Sequence, residues 1–315
     1  MSVETIPSNP QEKRAIIGLC ILAAFADGAQ NETERARILA ILGGFDEAQV
    51  DLTSAYQDAL GGKVSLTAAA EQLQSASAKA LGYEMAVCVC NADGALNDSE
   101  RKFLSDLRAA LRLDANTGAD YQQTAQAIAL QPVDQTLPPV IDANREAELD
   151  RMILNAAILN GALELMPQTL ATMAILPLQM RMVYRIGNRY GYELDRGHIT
   201  DFLATVGIGL TSQVFEGFAR KLFGGFTRQL AGGLLGGLAG AATGSAFSFA
   251  TTYALGQVAR KYYASGRSLN AAQLKEVFST MLQDGRSVQS RYAGDIAAKS
   301  RQVNVTELLP LIKQQ

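Results

Sequence analysis

Two short acidic segments hold the residues of this chain best suited to chemistry. Ala26-Asp27-Gly28-Ala29-Gln30-Asn31-Glu32-Thr33-Glu34-Arg35 lines up with Ala92-Asp93-Gly94-Ala95-Leu96-Asn97-Asp98-Ser99-Glu100-Arg101 at an offset of 66 residues, Asp27 to Asp93. Asp, Gly, Asn, Glu and Arg recur in place. If the two segments pack about a pseudo-twofold axis, Asp27, Glu34, Asp93 and Glu100 converge. An all-oxygen donor set of that kind suits a hard divalent cation, calcium or magnesium. The spacing is not that of an EF-hand, because Asp27-Gly28-Ala29 lacks the alternating ligands and the terminal bidentate glutamate. A metal-dependent hydrolase would draw on the same paired carboxylates, and no other set in the chain offers them.

The same residues have an ordinary structural reading. Gly28 and Gly94 fall where a helix end needs a residue able to take positive φ. Asn31 and Asn97 are good N-caps, and Glu34 and Glu100 lie three residues on, as in a capping box. Acidic side chains in a first turn also complement the helix dipole. Caps and cation ligands can share a carboxylate, so the residues alone leave both readings open.

Other chemistry is sparse. His198 is the only histidine, which leaves few forms for a Ser-His-Asp or Cys-His arrangement; it reads as a loop or cap residue. Gly61-Gly62-Lys63-Val64 hints at a phosphate loop, but Val64 stands where a P-loop needs Ser or Thr and Gln57 where it needs Gly. A helix end and turn is expected there. Cys20, Cys88 and Cys90 sit in apolar helical sequence without a CxxC pair or nearby histidines, so buried free thiols are expected rather than a zinc or redox site.

The elements that must position the acidic segments are helices. An apolar run precedes each copy, Ala15–Ala26 and Tyr83–Ala92, and an amphipathic one follows, Glu32–Leu42 and Asp98–Leu113. Phe103, Leu104, Leu107 and Leu111 mark one face of the last. The motif is a helix–turn–helix corner used twice. With its repeated A-D-G…E-R signature, residues 10–130 resemble the TerB-like domain associated with bacterial tellurite resistance and found in membrane-anchored DnaJ-type co-chaperones. The resemblance implies a small all-helical domain whose acidic residues bind metal, by position Asp27, Glu34, Asp93 and Glu100.

Three prolines, Pro132, Pro138 and Pro139, then break any helix, and 131–141 reads as a linker between domains. Beyond it the charge density falls. Met152–Met180 carries only Glu164, and Gln229–Ala259 carries no charge at all. Within the latter, Gly232, Gly236, Gly240 and Gly244 recur every four residues, a bare stripe along one helix face that suits close helix association in lipid. Both runs exceed the length needed to cross a bilayer. Glu164 inside such a run requires a partner or a wet surface. Phe202–Phe215 is too short to span and reads as one packed or interfacial helix. Basic residues border the long runs: Arg181, Arg185 and Arg189, then Arg220, Lys221 and Arg228, then Arg260 and Lys261. They flank both ends of the second run, so the positive-inside rule gives no clean topology. Spanning, lying on anionic lipid, and burying the stripe between subunits of a soluble oligomer all fit.

Ile175-Leu176-Pro177-Leu178-Gln179-Met180-Arg181 through Tyr190-Gly191, with Thr251-Thr252-Tyr253-Ala254-Leu255-Gly256 through Tyr263, resemble the two sequence blocks of the uncharacterised YcjF-like domain. The resemblance covers about 150–280. It implies a bacterial inner-membrane-associated domain often fused or adjacent to dynamin-like or Era-like GTPases; with no GTPase domain in this chain, such a GTPase would be a partner.

Length and composition agree with that division. The 315 residues suffice for two domains. Charged residues make up 19%, and a net charge of −3 argues against a nucleic-acid partner. No secretory signal is visible at Met1–Asn9. The expected architecture is all-α: a TerB-like bundle at 10–130, the linker at 131–141, a YcjF-like membrane-associated domain with a glycine-rich apolar hairpin at 142–267, and a helical, partly ordered tail at 268–315. The expected role is a non-enzymatic, stress-linked adaptor or sensor responsive to a divalent cation. Its setting is the bacterial inner membrane, with the N-terminal domain in the cytoplasm and with membrane lipid and further copies of itself as partners. A self-assembling membrane-remodelling or pore-like protein is the alternative.

Overall fold

A computed structural model describes residues 7, 9–26, 32–43, 52–92, 96–114, 122–128, 145–166, 169–223 and 244–303. Among them every regular element is helical, so the all-α expectation holds. The N-terminal helices are α1 (Pro10–Ala24), α2 (Glu32–Gly43), α3 (Leu52–Leu60), α4 (Leu66–Glu71), α5 (Ala76–Cys90), α6 (Asp98–Leu111) and α7 (122–128). Then follow α8 (Arg145–Glu164), α9 (Thr169–Met173), α10 (Ile175–Arg189), α11 (Arg196–Val206), α12 (Leu210–Phe223), α13 (Gly244–Ala264), α14 (Ala271–Gln289) and α15 (Ala293–Gln302).

Two helices form the heart of the first seven. α1 and α5 are apolar on nearly every side, the pattern of a helix enclosed by others. They pack on each other, burying Ile16, Leu19, Cys20, Tyr83, Met85 and Cys88. Asn9 caps α1 by accepting from the Gln11 amide at 2.9 Å, and Pro10 opens the helix where no amide partner is needed. Glu12, buried in the first turn of α1, accepts from the amides of Gln74 and Ser75, both at 3.0 Å. One carboxylate thus anchors the entry to α5. The glycine turn after α3 forms as the sequence suggests, with Gly62 at φ 67° and the Lys63 amide donating to the Asp58 carbonyl at 2.9 Å.

In the second half α13 is the central helix, packed by α8, α10 and α14. Its buried Ala250, Ala254, Leu255, Val258 and Ala259 make it apolar in several directions. Close approach depends on missing side chains: a Cβ on Gly285 would lie 3.0 Å from the Ala250 carbonyl oxygen, and one on Gly256 2.7 Å from Ile153. α14 and α15 lie against α13 and α8, so these two helices of the expected tail pack back onto this core. The end of the expected tail, 304–315, and the linker 131–141 lie outside the described residues.

Two expected segments take a different form. Phe202–Phe215 is not one helix: Gly207, at φ 104°, ends α11 in the left-handed conformation, and α12 starts anew at Leu210. Hydropathy does not register such a stop, because it depends on one backbone dihedral. Met152–Met180 is likewise divided among α8, α9 and α10, and Pro177 sits in the first turn of α10, where a missing amide is harmless. Among the described residues no single helix is long and apolar enough to cross a membrane. α11 and α12, bent by 62°, reach that length and apolarity only as a pair.

The halves meet through α12, which packs on α1, α2 and α5 and also on α9, α10 and α13, and through α9 against α5.

Candidate functional site: acidic corner and buried ion cluster

The second acidic corner forms as a cap. α5 ends at Asn91, whose buried side chain donates to the Val87 carbonyl at 2.8 Å. α6 begins with a complete capping box: the Glu100 amide donates to Asn97 Oδ1 at 3.0 Å, and the Asn97 amide donates to Glu100 Oε2 at 2.9 Å. Glu100 is 8% exposed, so it faces the protein rather than the solvent. Beside the first acidic segment, Arg35 at the start of α2 is held in place. Tyr56 donates to the Arg35 carbonyl at 3.2 Å, and the Arg35 guanidinium stands 5.4 Å from the centre of the Phe25 ring. Asp27, Asp93 and the Glu34 side chain lie outside the described residues. Among the described residues no three His, Cys, Asp or Glu side chains gather to hold a metal. The four carboxylates still fit a hard cation by donor type, oxygen throughout.

Glu164, the lone charge of its apolar run, finds a partner. It accepts from Ser248 Oγ at 3.1 Å, and its Oε1 lies 4.0 Å from Arg220 Nε. Arg220 also pairs with Glu216 one turn before it on α12, and its guanidinium lies 3.8 Å from the centre of the Phe247 ring. All three charged side chains are almost wholly buried. Burial pushes the Glu216 carboxyl up, Arg220 opposes that rise, and Glu164 adds to it. The cluster joins the end of α8, the end of α12 and the start of α13. Gly244, at the head of α13, leaves room for Glu164: a Cβ there would lie 2.8 Å from its Cγ. Gly232, Gly236, Gly240 and Arg228, like the Lys221 side chain, lie outside the described residues.

The remaining basic residues are divided. Arg189 pairs with Glu148, and Arg260 with Asp150 and Glu146, so the acidic first turns of α8 hold the ends of α10 and α13. Lys261 is exposed. Arg181 and Arg185 line a cleft between α8 and α10. His198 is neither loop nor cap but lies in the first turn of α11, where Asp195 is the cap: the His198 amide donates to Asp195 Oδ1 at 2.9 Å, and its Nδ1 lies 2.8 Å from the same oxygen.

A buried polar chain was not foreseen from the sequence. Asn160 on α8 and Gln179 on α10 both donate to Thr252 Oγ1 on α13 at 3.0 Å, and Gln213 on α12 donates to Gln179 Oε1 at 2.7 Å. Four helices are thereby held in one register. Isolated amides and hydroxyls within apolar runs were the available signal, since a buried polar group needs a partner. Gln179 and Thr252 belong to the two sequence blocks read above as one domain's signature, and the fold brings them into contact.

Residues 13–123 match the family model of the tellurite resistance protein TerB. No curated protein and no solved structure matches the chain. The helices α1 to α7 agree with this match, which supports an N-terminal TerB-like domain.

Proposed function

We propose that the protein is a non-enzymatic adaptor of the tellurite-resistance type, which couples a cation-responsive TerB-like module to a membrane-associated helical domain. Asp27, Glu34, Asp93 and Glu100 would hold a calcium or magnesium ion, which supplies charge neutralisation between the two corners. The YcjF-like resemblance of 150–280, the glycine stripe and the uncharged run support attachment to the bacterial inner membrane and self-association there. A GTPase partner rests on that resemblance alone. The observation that carries the reading is the position of α12: it packs on α1, α2 and α5, it holds Arg220 in the buried ion cluster, and it leads into the glycine-rich segment. α12 would carry a change at the corners toward that segment.

Two measurements test it. Calorimetry with calcium and magnesium should detect binding that is lost in Asp27→Asn with Asp93→Asn; unchanged heats in that variant would remove the cation role. Flotation with vesicles should retain the full chain and release a variant whose 229–243 segment is replaced by an equally long Gly-Ser linker. The replacement must stop before Gly244, because α13 is the centre of the fold. Equal flotation of both proteins would remove the membrane role.

A further inference from the structure

Between α8 and α10 lies a half-open cleft of about 450 Å³ that the adaptor reading does not use. That volume is within the roughly 300–1,000 Å³ of small-molecule sites. One stripe of α8 forms the first wall, with Glu148, Arg151, Met152, Asn155, Ala156 and Leu159 at helical spacing. Leu178, Arg181, Met182 and Arg185 form the second, along one face of α10. Small Ala156 and Asn155 leave the space that larger residues would fill.

The charge on these walls is unbalanced. Three arginines face one glutamate, and that glutamate is already paired with Arg189 at the cleft's end. Arg185 forms no ion pair among the described residues. Arg181, 4% exposed, and Arg185 stand one turn apart on the same helix. Burial, and then the neighbouring arginine, pull both guanidinium groups toward losing their proton, Arg181 through Arg185 and Arg185 through Arg189, with Glu148 opposing the pull on Arg185. Like charges held together in a partly dehydrated site are relieved by an anion. Guanidinium forks match the oxygens of a phosphate or carboxylate in particular. Below them the thioethers and aliphatic groups of Met152, Leu159, Leu178 and Met182 offer an apolar floor.

We propose that this cleft binds an amphiphilic oxyanion, its phosphate on Arg151, Arg181 and Arg185 and its aliphatic part against the methionines and leucines. Such a ligand could be a membrane phospholipid or a soluble organic phosphate, and the test separates them. The full chain is titrated with hexyl phosphate and with inorganic phosphate, then floated with phosphatidylglycerol vesicles. Hexyl phosphate should bind more tightly than inorganic phosphate. In Arg151→Gln with Arg185→Gln its affinity should fall about ten- to a hundredfold, the loss expected for charge-assisted hydrogen bonds. Asn155→Trp, which fills the cleft and keeps every arginine, should weaken hexyl phosphate as well. Both variants keep residues that the core needs, and an unchanged helical melting curve confirms their fold. A parallel loss of vesicle binding in the arginine variant identifies a phospholipid; unchanged vesicle binding with hexyl phosphate lost identifies a soluble ligand. Equal affinity for the two phosphates, or hexyl phosphate bound equally by all three proteins, overturns the proposal.

Discussion

Glu100 shows how one side chain can be tested for two duties. Glutamine completes a capping box as well as glutamate does, and α14 uses one: Gln273 with Asn270. Glu100→Gln should therefore leave the thermal midpoint nearly unchanged while weakening calcium or magnesium binding in calorimetry. A stability loss with full cation affinity would mean that the cap alone matters. The thiols give a second residue-scale prediction. Cys20, Cys88 and Cys90 are buried thiols outside any disulfide, and burial pushes the Cys20 thiol far up. A disulfide reagent at pH 8 should label none of them in the native protein and all three after denaturation, since the thiolate is the reactive form. Native labelling of Cys20 would contradict its place in the core. These local features were legible in the sequence because a cap or a run of apolar neighbours is written within a few residues. Glu12 was not: its partners, Gln74 and Ser75, are distant in the chain, and nothing near it announces them.

At the scale of elements, helix contact is set by what is absent. α14 approaches α13 at Gly285, where the atoms in the way belong to the backbone of Ala250 and have no rotamer to change. Gly285→Ala should destabilise the fold by about 1–3 kcal/mol, the usual cost of overpacking a tight core, as read by chemical denaturation. A neutral result would mean that the two helices separate easily. The sequence suggested small residues as contact points, but it pointed to the 232–244 stripe, where repetition is visible. Single glycines such as Gly256 and Gly285 carry no pattern; only the partner surface gives them meaning. The same limit explains Phe202–Phe215, where continuous hydropathy concealed the helix stop at Gly207.

For the molecule as a whole, the ion cluster is the critical joint. Arg220→Met leaves Glu216 and Glu164 buried without their cation, and breaking a buried pair from one side costs about 3–5 kcal/mol. The sign of its pH dependence follows. A carboxyl whose folded pKa is raised contributes stability below its unfolded pKa, and that contribution is lost as pH rises through the folded value. Without Arg220 the Glu216 carboxyl rises further, so the variant's deficit in thermal melting should shrink between pH 7 and pH 5. A deficit that grows on acidification would show that Arg220 does not restrain Glu216. Sequence reading demanded a partner for Glu164 but could not name one, because Arg220 and Ser248 arrive from two other helices.

The cluster also ties down both exits of the glycine-rich segment, Arg220 just before it and Ser248 just after it, on the single carboxylate of Glu164. The two ends of that segment are therefore held together by one buried acid, whatever length of chain runs between them.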